Sequence, residues 1–210
     1  MGPFTLQQLT GNTDIYLIDQ IMKGRYSLND LVLDAGCGLG RNLHWFFFNQ
    51  IDCFGIDMDA EAIDQVKLQY PGIQPDRLQV STVENMPFDD CFFDHIISSA
   101  VLHFAKSYKN FDAMFNEMVR VLKPEGSIFI RMTSDIGIEN RIVPTGDGMY
   151  ILPDGSTRFL LTRAMIQNLL NEQLVTLIEE VKTVNVNDIR CMTTLVFKKV
   201  NQSKESQSCL

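Results

Sequence analysis

"LVLDAGCGLGRN", residues 31–42, places three glycines within five positions directly after an apolar run. The apolar residues 31–35 predict a buried strand. Glycine has no Cβ and adopts positive φ at little cost, so a ligand can approach the backbone closely at this turn. The helix expected after the turn would present unpaired N–H groups at the same place. We therefore expect a nucleotide-like ligand at the carboxyl end of the first strand.

Apolar runs alternate with helical stretches through the first two-thirds of the chain. The runs at 31–35, 53–57, 78–83, 92–99 and 127–132 predict strands, and helices are predicted at about 41–49, 59–70 and 111–122. A short amphipathic helix is also predicted before the first strand. This alternation is typical of strand–helix–strand units that build a parallel sheet, so the sequence predicts an α/β fold.

The last third of the chain has a different pattern. Residues 133–162 contain the turn signals GDG (146–148) and PDG (153–155), and they predict a loop or small hairpin inserted on the substrate side of the sheet. Thr162 is the expected N-cap of a helix that runs to about residue 172. Two β-branched runs, near 175–186 and 191–200, predict a terminal strand pair. We expect one domain over 1–200 and a disordered polar tail over 201–210.

The overall charge and the cysteine pattern restrict the class of protein. The chain of 210 residues has 18 Lys and Arg against 26 Asp and Glu, a formal net charge of −8. This charge argues against a large phosphate-binding surface, so a small-molecule substrate and no nucleic acid are expected, with a local basic patch for RNA as the alternative. The five cysteines form no C-x-x-C pair, which predicts no metal site and fits a reducing cytoplasm. No signal segment or membrane span is predicted.

Two classes of cofactor compete for the glycine turn. A dinucleotide site needs G-x-G-x-x-G, whereas this chain has Arg41 in place of the third glycine. Asp34 precedes the turn, and its carboxylate would repel a pyrophosphate but can hold a cationic amine. Asp57, at the end of the second predicted strand, can accept hydrogen bonds from both ribose hydroxyls of either cofactor. Asp34 therefore favours S-adenosylmethionine, which has an amine, a sulfonium and no phosphate.

Five motifs in order make the chain resemble the class I S-adenosylmethionine-dependent methyltransferases. They are "LDAGCGLG", "GIDMD", "VENMPF", "FDHIISSAVLHF" and "VLKPEGSIFI", all within residues 31–130. The resemblance implies a Rossmann-like three-layer sandwich with a seven-stranded, mostly parallel sheet whose last strand is antiparallel. It also implies an enzyme that uses S-adenosylmethionine and releases S-adenosylhomocysteine. "GRN" and the ending "DIRCMTTLVFKK" are similar to tellurite-resistance-type methyltransferases, which favours a small acceptor.

The resemblance assigns cofactor contacts motif by motif. Asp34 would lie near the amine of the cofactor, and Asp57 would hold its ribose. The other assigned contacts are to the methionine part (Gly36, Cys37, Gly38 and Ser99) and to the adenine (Met58, Val83 and Glu84). Thr82 stands where many relatives have an aspartate that accepts a hydrogen bond from the adenine amine, and a hydroxyl oxygen accepts more weakly than a carboxylate.

Methyl transfer requires alignment and exclusion of water, and sometimes a base. His103, just past the fourth strand, is the candidate catalytic base; the alternative is a histidine that only begins a helix. Tyr16, on the leading helix, could cover the cofactor or belong to the core. A further group could receive an anionic substrate or form a solvated rim: Arg131, Arg141, Arg158, Arg163 and Tyr150.

Two other functions remain open at this stage. An NAD-dependent oxidoreductase is opposed by Arg41 and Asp34. A non-catalytic S-adenosylmethionine-binding protein would keep the motifs without an open path to an acceptor. Base methylation by the nucleic-acid amino-methyltransferase route is not indicated, because "SSAV" (98–101) replaces the Asn/Asp-Pro-Pro-aromatic segment.

Overall fold

The computed structural model describes residues 5–201, so the predicted tail beyond residue 201 lies outside the described residues. The strands are β1 (Leu31–Ala35), β2 (Asp52–Asp57), β3 (Leu78–Val80), β4 (Phe93–Ser99), β5 (Leu122–Ser134), β6 (Val143–Gly146), β7 (Met149–Ile151), β8 (Thr157–Phe159), β9 (Val175–Leu177), β10 (Lys182–Val186) and β11 (Arg190–Lys199). The α-helices are α1 (Leu6–Thr10), α2 (Ile15–Met22), α3 (Leu43–Phe48), α4 (Ala60–Gln69), α5 (Tyr108–Val121) and α6 (Arg163–Asn171). No helix within residues 5–201 is long and apolar enough to cross a bilayer.

The main sheet is mostly parallel and confirms the predicted fold. Its order is β3-β2-β1-β4-β5-β11-β10, and β9 also pairs with β11. The neighbours from β3 to β5 are parallel, whereas β11 is antiparallel to β5. The chain leaves β1 toward β2 on one side, and β4 lies on the other side of β1. The carboxyl ends of β1 and β4 therefore border the crevice where open α/β sheets bind ligands.

Helices cover both faces of this sheet and form the outer layers. On one face, α5 buries Phe111 and Met118. On the other face, α3 and α4 bury Phe46 and Ile63. Each such side chain contributes about 1.5–3 kcal/mol when it is fully buried. The two cores hold the strand ends in fixed positions on which a site can be built.

Side-chain caps fix where the helices begin. Thr162 Oγ1 accepts a hydrogen bond from the Met165 N–H at 3.1 Å, which confirms the predicted cap of α6. Asp59 Oδ1 accepts from the Glu61 N–H at 2.9 Å and caps α4. A cap satisfies N–H groups that have no partner within the helix. Because Asp59 caps α4, Asp57 is not needed for that role.

The segment after β5 contains more structure than the expected loop or hairpin. β6, β7 and β8 form a three-stranded antiparallel sheet, and both predicted turns lie between its strands. Phe159 of β8 is fully buried and stacks on Phe111 of α5, with ring centroids 5.2 Å apart. The third strand forms because its aromatic residue joins the main core. We refer to β6–β8 as the small sheet.

Several predicted boundaries were wrong. β5 begins at Leu122 instead of residue 127, because Leu122 already pairs with Phe93 across a register shift. β3 ends at Val80 instead of residue 83, since a turn follows in which the Asn85 N–H donates to the Thr82 carbonyl. The run at 175–186 divides into β9 and β10, which both pair with β11. Helix α1 was not predicted.

Candidate ligand site

The glycine turn at the end of β1 lies against the end of β2. The N–H groups of Gly36 and Cys37 both donate to the Ile56 carbonyl, at 2.9 and 2.8 Å. Gly36 has a φ of +84°, and a Cβ there would lie 2.5 Å from Val101 Cγ2. Gly38 has a φ of +51°, and a Cβ there would meet nothing within 4 Å. Packing therefore requires glycine at 36, whereas Gly38 presents bare backbone to open space.

Asp34 is a buried carboxylate beside this turn. The residue is fully buried, and neither carboxylate oxygen has a hydrogen-bond partner within residues 5–201. Burial raises the pKa of Asp34 from 3.8 to about 7, although the positive charge of Arg41 and the nearby side-chain amide of Asn42 oppose the shift. An unpartnered buried carboxylate is costly unless it is protonated or meets a cation. Asp34 is therefore suited to receive a cationic group.

A cavity of about 1060 Å³ opens at the carboxyl ends of β1, β2 and β4. This volume is sufficient for a ligand of cofactor size. Most of the predicted cofactor-binding residues lie on its wall, namely Gly36, Cys37, Gly38, Asp57, Met58, Thr82, Val83, Glu84 and Ser99. Asp34 and Tyr16 are not among the wall residues. The fold thus brings together residues from four separate motifs around one space.

Asp57 is held in place at the cavity wall by two backbone groups. Its Oδ2 accepts a hydrogen bond from the Gly38 N–H at 2.8 Å, and its Oδ1 accepts from the Asp59 N–H at 3.0 Å. Each carboxylate oxygen can accept a further bond. Asp57 therefore connects the glycine turn to the end of β2 and keeps acceptor capacity for a ligand.

Asp14 joins α2 to the mouth of the cavity, and sequence reasoning missed this residue. It is buried, and its Oδ2 accepts from Ser99 Oγ at 3.0 Å. The same oxygen lies 3.4 Å from Arg41 Nη2 and 3.3 Å from Arg131 Nη1. Arg41 also lines the cavity, although the sequence pattern indicated it only as the residue that replaces the third glycine of a dinucleotide motif. The position of Arg41 directly after the glycine turn was a sequence signal for a role in ligand binding. For Asp14 the sequence offered only its position before α2.

Tyr16 lies beside the Asp14 network and not on the cavity wall. The Cζ atom of Arg131 is 5.0 Å from the centroid of its ring. The ring also packs against the core face that contains Leu17 and Phe46. Tyr16 is therefore a half-buried residue at the edge of this core, and its role as a cover for the cofactor stays a prediction.

His103 is also absent from the wall residues. It belongs to a 3₁₀ helix, Leu102–Phe104, and is buried, with Nδ1 unpartnered within residues 5–201. Its ring lies 4.5 Å from that of Phe104, which does line the cavity. Burial, together with Arg158, Arg190 and Arg131, lowers the pKa of His103 from 6.5 to about 4. The imidazole is therefore neutral at neutral pH.

The predicted group of arginines is only partly assembled. Arg131 and Arg158 both act on His103, from β5 and β8. Arg141 points elsewhere and pairs with Asp188 at 3.2 Å. Tyr150 belongs to β7, in the small sheet. Two of the four arginines therefore face one region beside the cavity.

Comparison with known proteins shows what the middle of the chain is similar to. Residues 33–130 match the family described as "Methyltransferase domain". PH0226 protein from Pyrococcus horikoshii OT3 has the same fold, with a TM-score of 0.70 at 16% identity over 93% of this chain and 96% of that chain. This match and the shared fold support a class I S-adenosylmethionine-dependent methyltransferase. The matched residues contain the glycine turn, Asp57 and the end of β4.

A solved methyltransferase with ligands bound also has this fold. It is the Burkholderia thailandensis 1,6-didemethyltoxoflavin-N1-methyltransferase, with bound 1,6-didemethyltoxoflavin and S-adenosylhomocysteine. Its TM-score is 0.63 at 17% identity, covering 88% of this chain and 76% of that chain. The likeness in fold extends beyond residues 33–130 to most of this chain.

Two curated relatives share part of their length with this chain. ECU09_1500 of Encephalitozoon cuniculi (strain GB-M1), which is named as a methyltransferase, is 34% identical over 106 residues, 50% of this chain and 46% of that protein. The tRNA (carboxymethyluridine(34)-5-O)-methyltransferase of Arabidopsis thaliana is 32% identical over 100 residues, 48% of this chain and 23% of that protein. This chain thus spans less than half the length of these relatives.

Proposed function

We propose that this protein is a methyltransferase that binds S-adenosylmethionine in the cavity at the ends of β1, β2 and β4 and transfers its methyl group to a small molecule. The unpartnered, fully buried carboxylate of Asp34 beside the glycine turn carries this proposal. A nucleotide phosphate would be repelled there, whereas the ammonium group of S-adenosylmethionine would supply the missing partner. The NAD-dependent alternative is therefore not favoured.

The methionine end of the cofactor would lie between two opposite charges. Asp34 would face its ammonium group, and Arg41 on the cavity wall would face its carboxylate. Gly36, Cys37 and Gly38 would lie alongside, where Gly38 leaves room for close approach. Ser99, at the end of β4, would complete this part of the site. A zwitterionic end group thus fits the charges that the chain provides.

The nucleoside end would lie along the strand ends on the other side of the turn. Asp57 would accept hydrogen bonds from the ribose hydroxyls. Met58 is 75% exposed and Val83 lines the cavity, so both offer apolar surface for the adenine faces. Thr82 and Glu84 would border the adenine edge, with the Thr82 hydroxyl as the weaker replacement for an aspartate.

When bound, the cofactor supplies a methyl group activated by its sulfonium. The chain has to align the acceptor, exclude water and, where needed, accept a proton. We propose His103 as the base, because its unpartnered Nδ1 and neutral ring can accept a hydrogen bond from the methyl acceptor. With a pKa of about 4 it would hold a proton only weakly, so alignment would provide most of the rate.

A small acceptor is favoured over a nucleic acid. The net charge of −8 opposes a long polyanion, and "SSAV" stands at the end of β4. The Arabidopsis relative acts on tRNA according to its name, so a tRNA substrate is the competing proposal. Placement in the cytoplasm remains a prediction from the cysteines, and a single domain over 1–200 remains a prediction as well.

Transfer of a tritiated methyl group tests this function. The protein is incubated with methyl-labelled S-adenosylmethionine and either a small-molecule cell extract or total tRNA. We expect S-adenosylhomocysteine to form and label to enter the small-molecule fraction, and both to be lost in Asp57→Ala. Label in tRNA instead would overturn the acceptor class, and no S-adenosylhomocysteine with either fraction would overturn methyl transfer.

A further inference from the structure

Cationic side chains lie beside the cavity, where the proposed cofactor contacts do not use them. Arg158 of β8 lies over the ring of Phe104, with its Cζ 5.2 Å from the ring centroid. Phe104 is 61% exposed and lines the cavity. The arginine therefore lies where the cavity meets the small sheet. We call Arg131, Arg158 and Arg190, together with the neutral His103 whose pKa they lower, the cationic cluster.

Two buried polar atoms of the cationic cluster lack partners. His103 Nδ1 and Arg131 Nε form no hydrogen bond within residues 5–201. Arg131 enters this region at the end of β5, where its carbonyl accepts from the Ala100 N–H at 2.7 Å, two residues before the His103 helix. Arg158 Nη1 donates to the carbonyl of its neighbour Thr157 at 2.8 Å, which leaves its other N–H groups available. Arg131 Nε and the other N–H groups of Arg158 are therefore unused donors here, and His103 Nδ1 is an unpartnered ring atom beside them.

Positive charge also exceeds negative charge around His103. Arg131, Arg158 and Arg190 all act on its ring, and with burial they lower the pKa of His103 to about 4. This local excess contrasts with the net charge of −8 for the whole chain. An anion would be attracted to this region and repelled by most of the remaining surface.

The acids of this region only partly offset the cationic cluster. Asp14 is already shared between Arg41 and Arg131. Asp154 accepts from Ser156 and is influenced by Arg190 and Arg158, although it lies in the exposed turn between β7 and β8. Within residues 5–201 the Arg158 guanidinium donates to the Thr157 carbonyl and has no carboxylate oxygen within 4 Å. Its guanidinium is therefore the member best placed to bind a ligand.

We propose that the cationic cluster binds a carboxylate of the methyl acceptor, with Arg158 as the main contact and the acceptor body packed on Phe104 in the cavity. This inference rests on the proposed function, because it concerns the acceptor of the same site. A guanidinium binds the two oxygens of a carboxylate with parallel hydrogen bonds, and an exposed aromatic ring packs against an apolar body. The acceptor class is a small organic acid with an apolar part.

A bound carboxylate would also change the state of His103. Negative charge near Arg158 and Arg131 would offset their effect on the imidazole, so its pKa would rise toward 6.5. Binding of the acceptor would then make His103 a better proton acceptor. This shift is a readout that does not depend on knowing the acceptor.

Titration with benzoate, followed by NMR of the His103 ring, tests the inference. The protein is saturated with S-adenosylhomocysteine, whose own binding is measured by calorimetry on the same sample. Benzamide, neutral and of the same shape, is the matched ligand control. Arg158→Gln is compared with Arg141→Gln, a surface arginine near the small sheet that pairs with Asp188.

We expect saturable benzoate binding that raises the His103 pKa, little binding of benzamide, and affinity weakened about tenfold or more in Arg158→Gln but unchanged in Arg141→Gln. Equal binding of benzamide, or benzoate binding unaffected by Arg158→Gln, would overturn the inference. If S-adenosylhomocysteine binds and benzoate does not, the carboxylate site fails while the cofactor proposal stands. If only benzoate binds, at Arg158, the cofactor proposal fails instead.

Discussion

Asp34 shows at the scale of one residue how ligand binding and stability oppose each other. Its carboxylate is fully buried without a partner within the described residues, so burial raises its folded pKa from 3.8 to about 7. At a pH between 3.8 and about 7, Asp34 is deprotonated in the unfolded chain but still protonated in the folded protein. The contribution of Asp34 to the free energy of unfolding therefore falls as the pH rises from about 4 to about 7, and then stays level.

Asp34→Asn should remove this cost in the ligand-free protein. We expect its free energy of unfolding to exceed that of the wild type at pH 8, on the order of a few kcal/mol, and the difference to shrink as the pH falls toward 4. Urea unfolding of both proteins at several pH values measures it. The contributions of the other titrating groups cancel in the difference between the two free energies of unfolding. A difference that does not change with pH would contradict the claim that Asp34 is a buried carboxylate with a raised pKa.

Individual residues of the site could be predicted where a motif fixes the backbone. Gly36 and Gly38 have positive φ, and Asp57 ends β2 on the cavity wall, as the strand and glycine pattern requires. Asp14 could not be found in this way, because its partners Ser99 and Arg131 are distant in the chain. Only the packing of α2 across the strand ends brings these residues together.

At the scale of elements, the small sheet depends on its attachment to the main core. Phe159 of β8 is fully buried, stacks on Phe111 and makes an edge contact with Tyr108 at 5.4 Å. We expect Phe159→Ala to lower the free energy of unfolding by about 3–5 kcal/mol, because it leaves a cavity where the two sheets meet. Phe48→Ala is the matched control, since Phe48 is 54% exposed and should cost less than about 1 kcal/mol.

Denaturant unfolding of both variants distinguishes an attached sheet from an independent one. If Phe159→Ala is no more destabilised than Phe48→Ala, the small sheet does not contribute to the core. The segment was predicted as a loop or hairpin because its strands are short and its helical periodicity is weak. The turns were visible in the sequence, but the third strand depends on a tertiary contact with α5, which no local pattern shows.

For the whole molecule, the sheet order could be expected from the resemblance and from the alternation of strands and helices. The right-handed crossovers of such units leave few topologies, and the observed order is one of them. The shape of the cavity could not be expected, because α1 and the residues after it line the mouth from a segment without a strong pattern. Likewise, the cationic cluster draws on β5, β8 and β11, which are far apart in the chain.

The central claim is that the cavity holds S-adenosylmethionine with its ribose on Asp57. The most direct measurement is a calorimetric titration of S-adenosylmethionine into the wild type, Asp57→Ala and the matched control Asp59→Ala. We expect binding to the wild type, a loss of about tenfold or more in Asp57→Ala from the lost charged hydrogen bonds, and affinity retained in Asp59→Ala, which removes only the cap of α4. No binding to the folded wild type, or equal binding to Asp57→Ala, would contradict the claim.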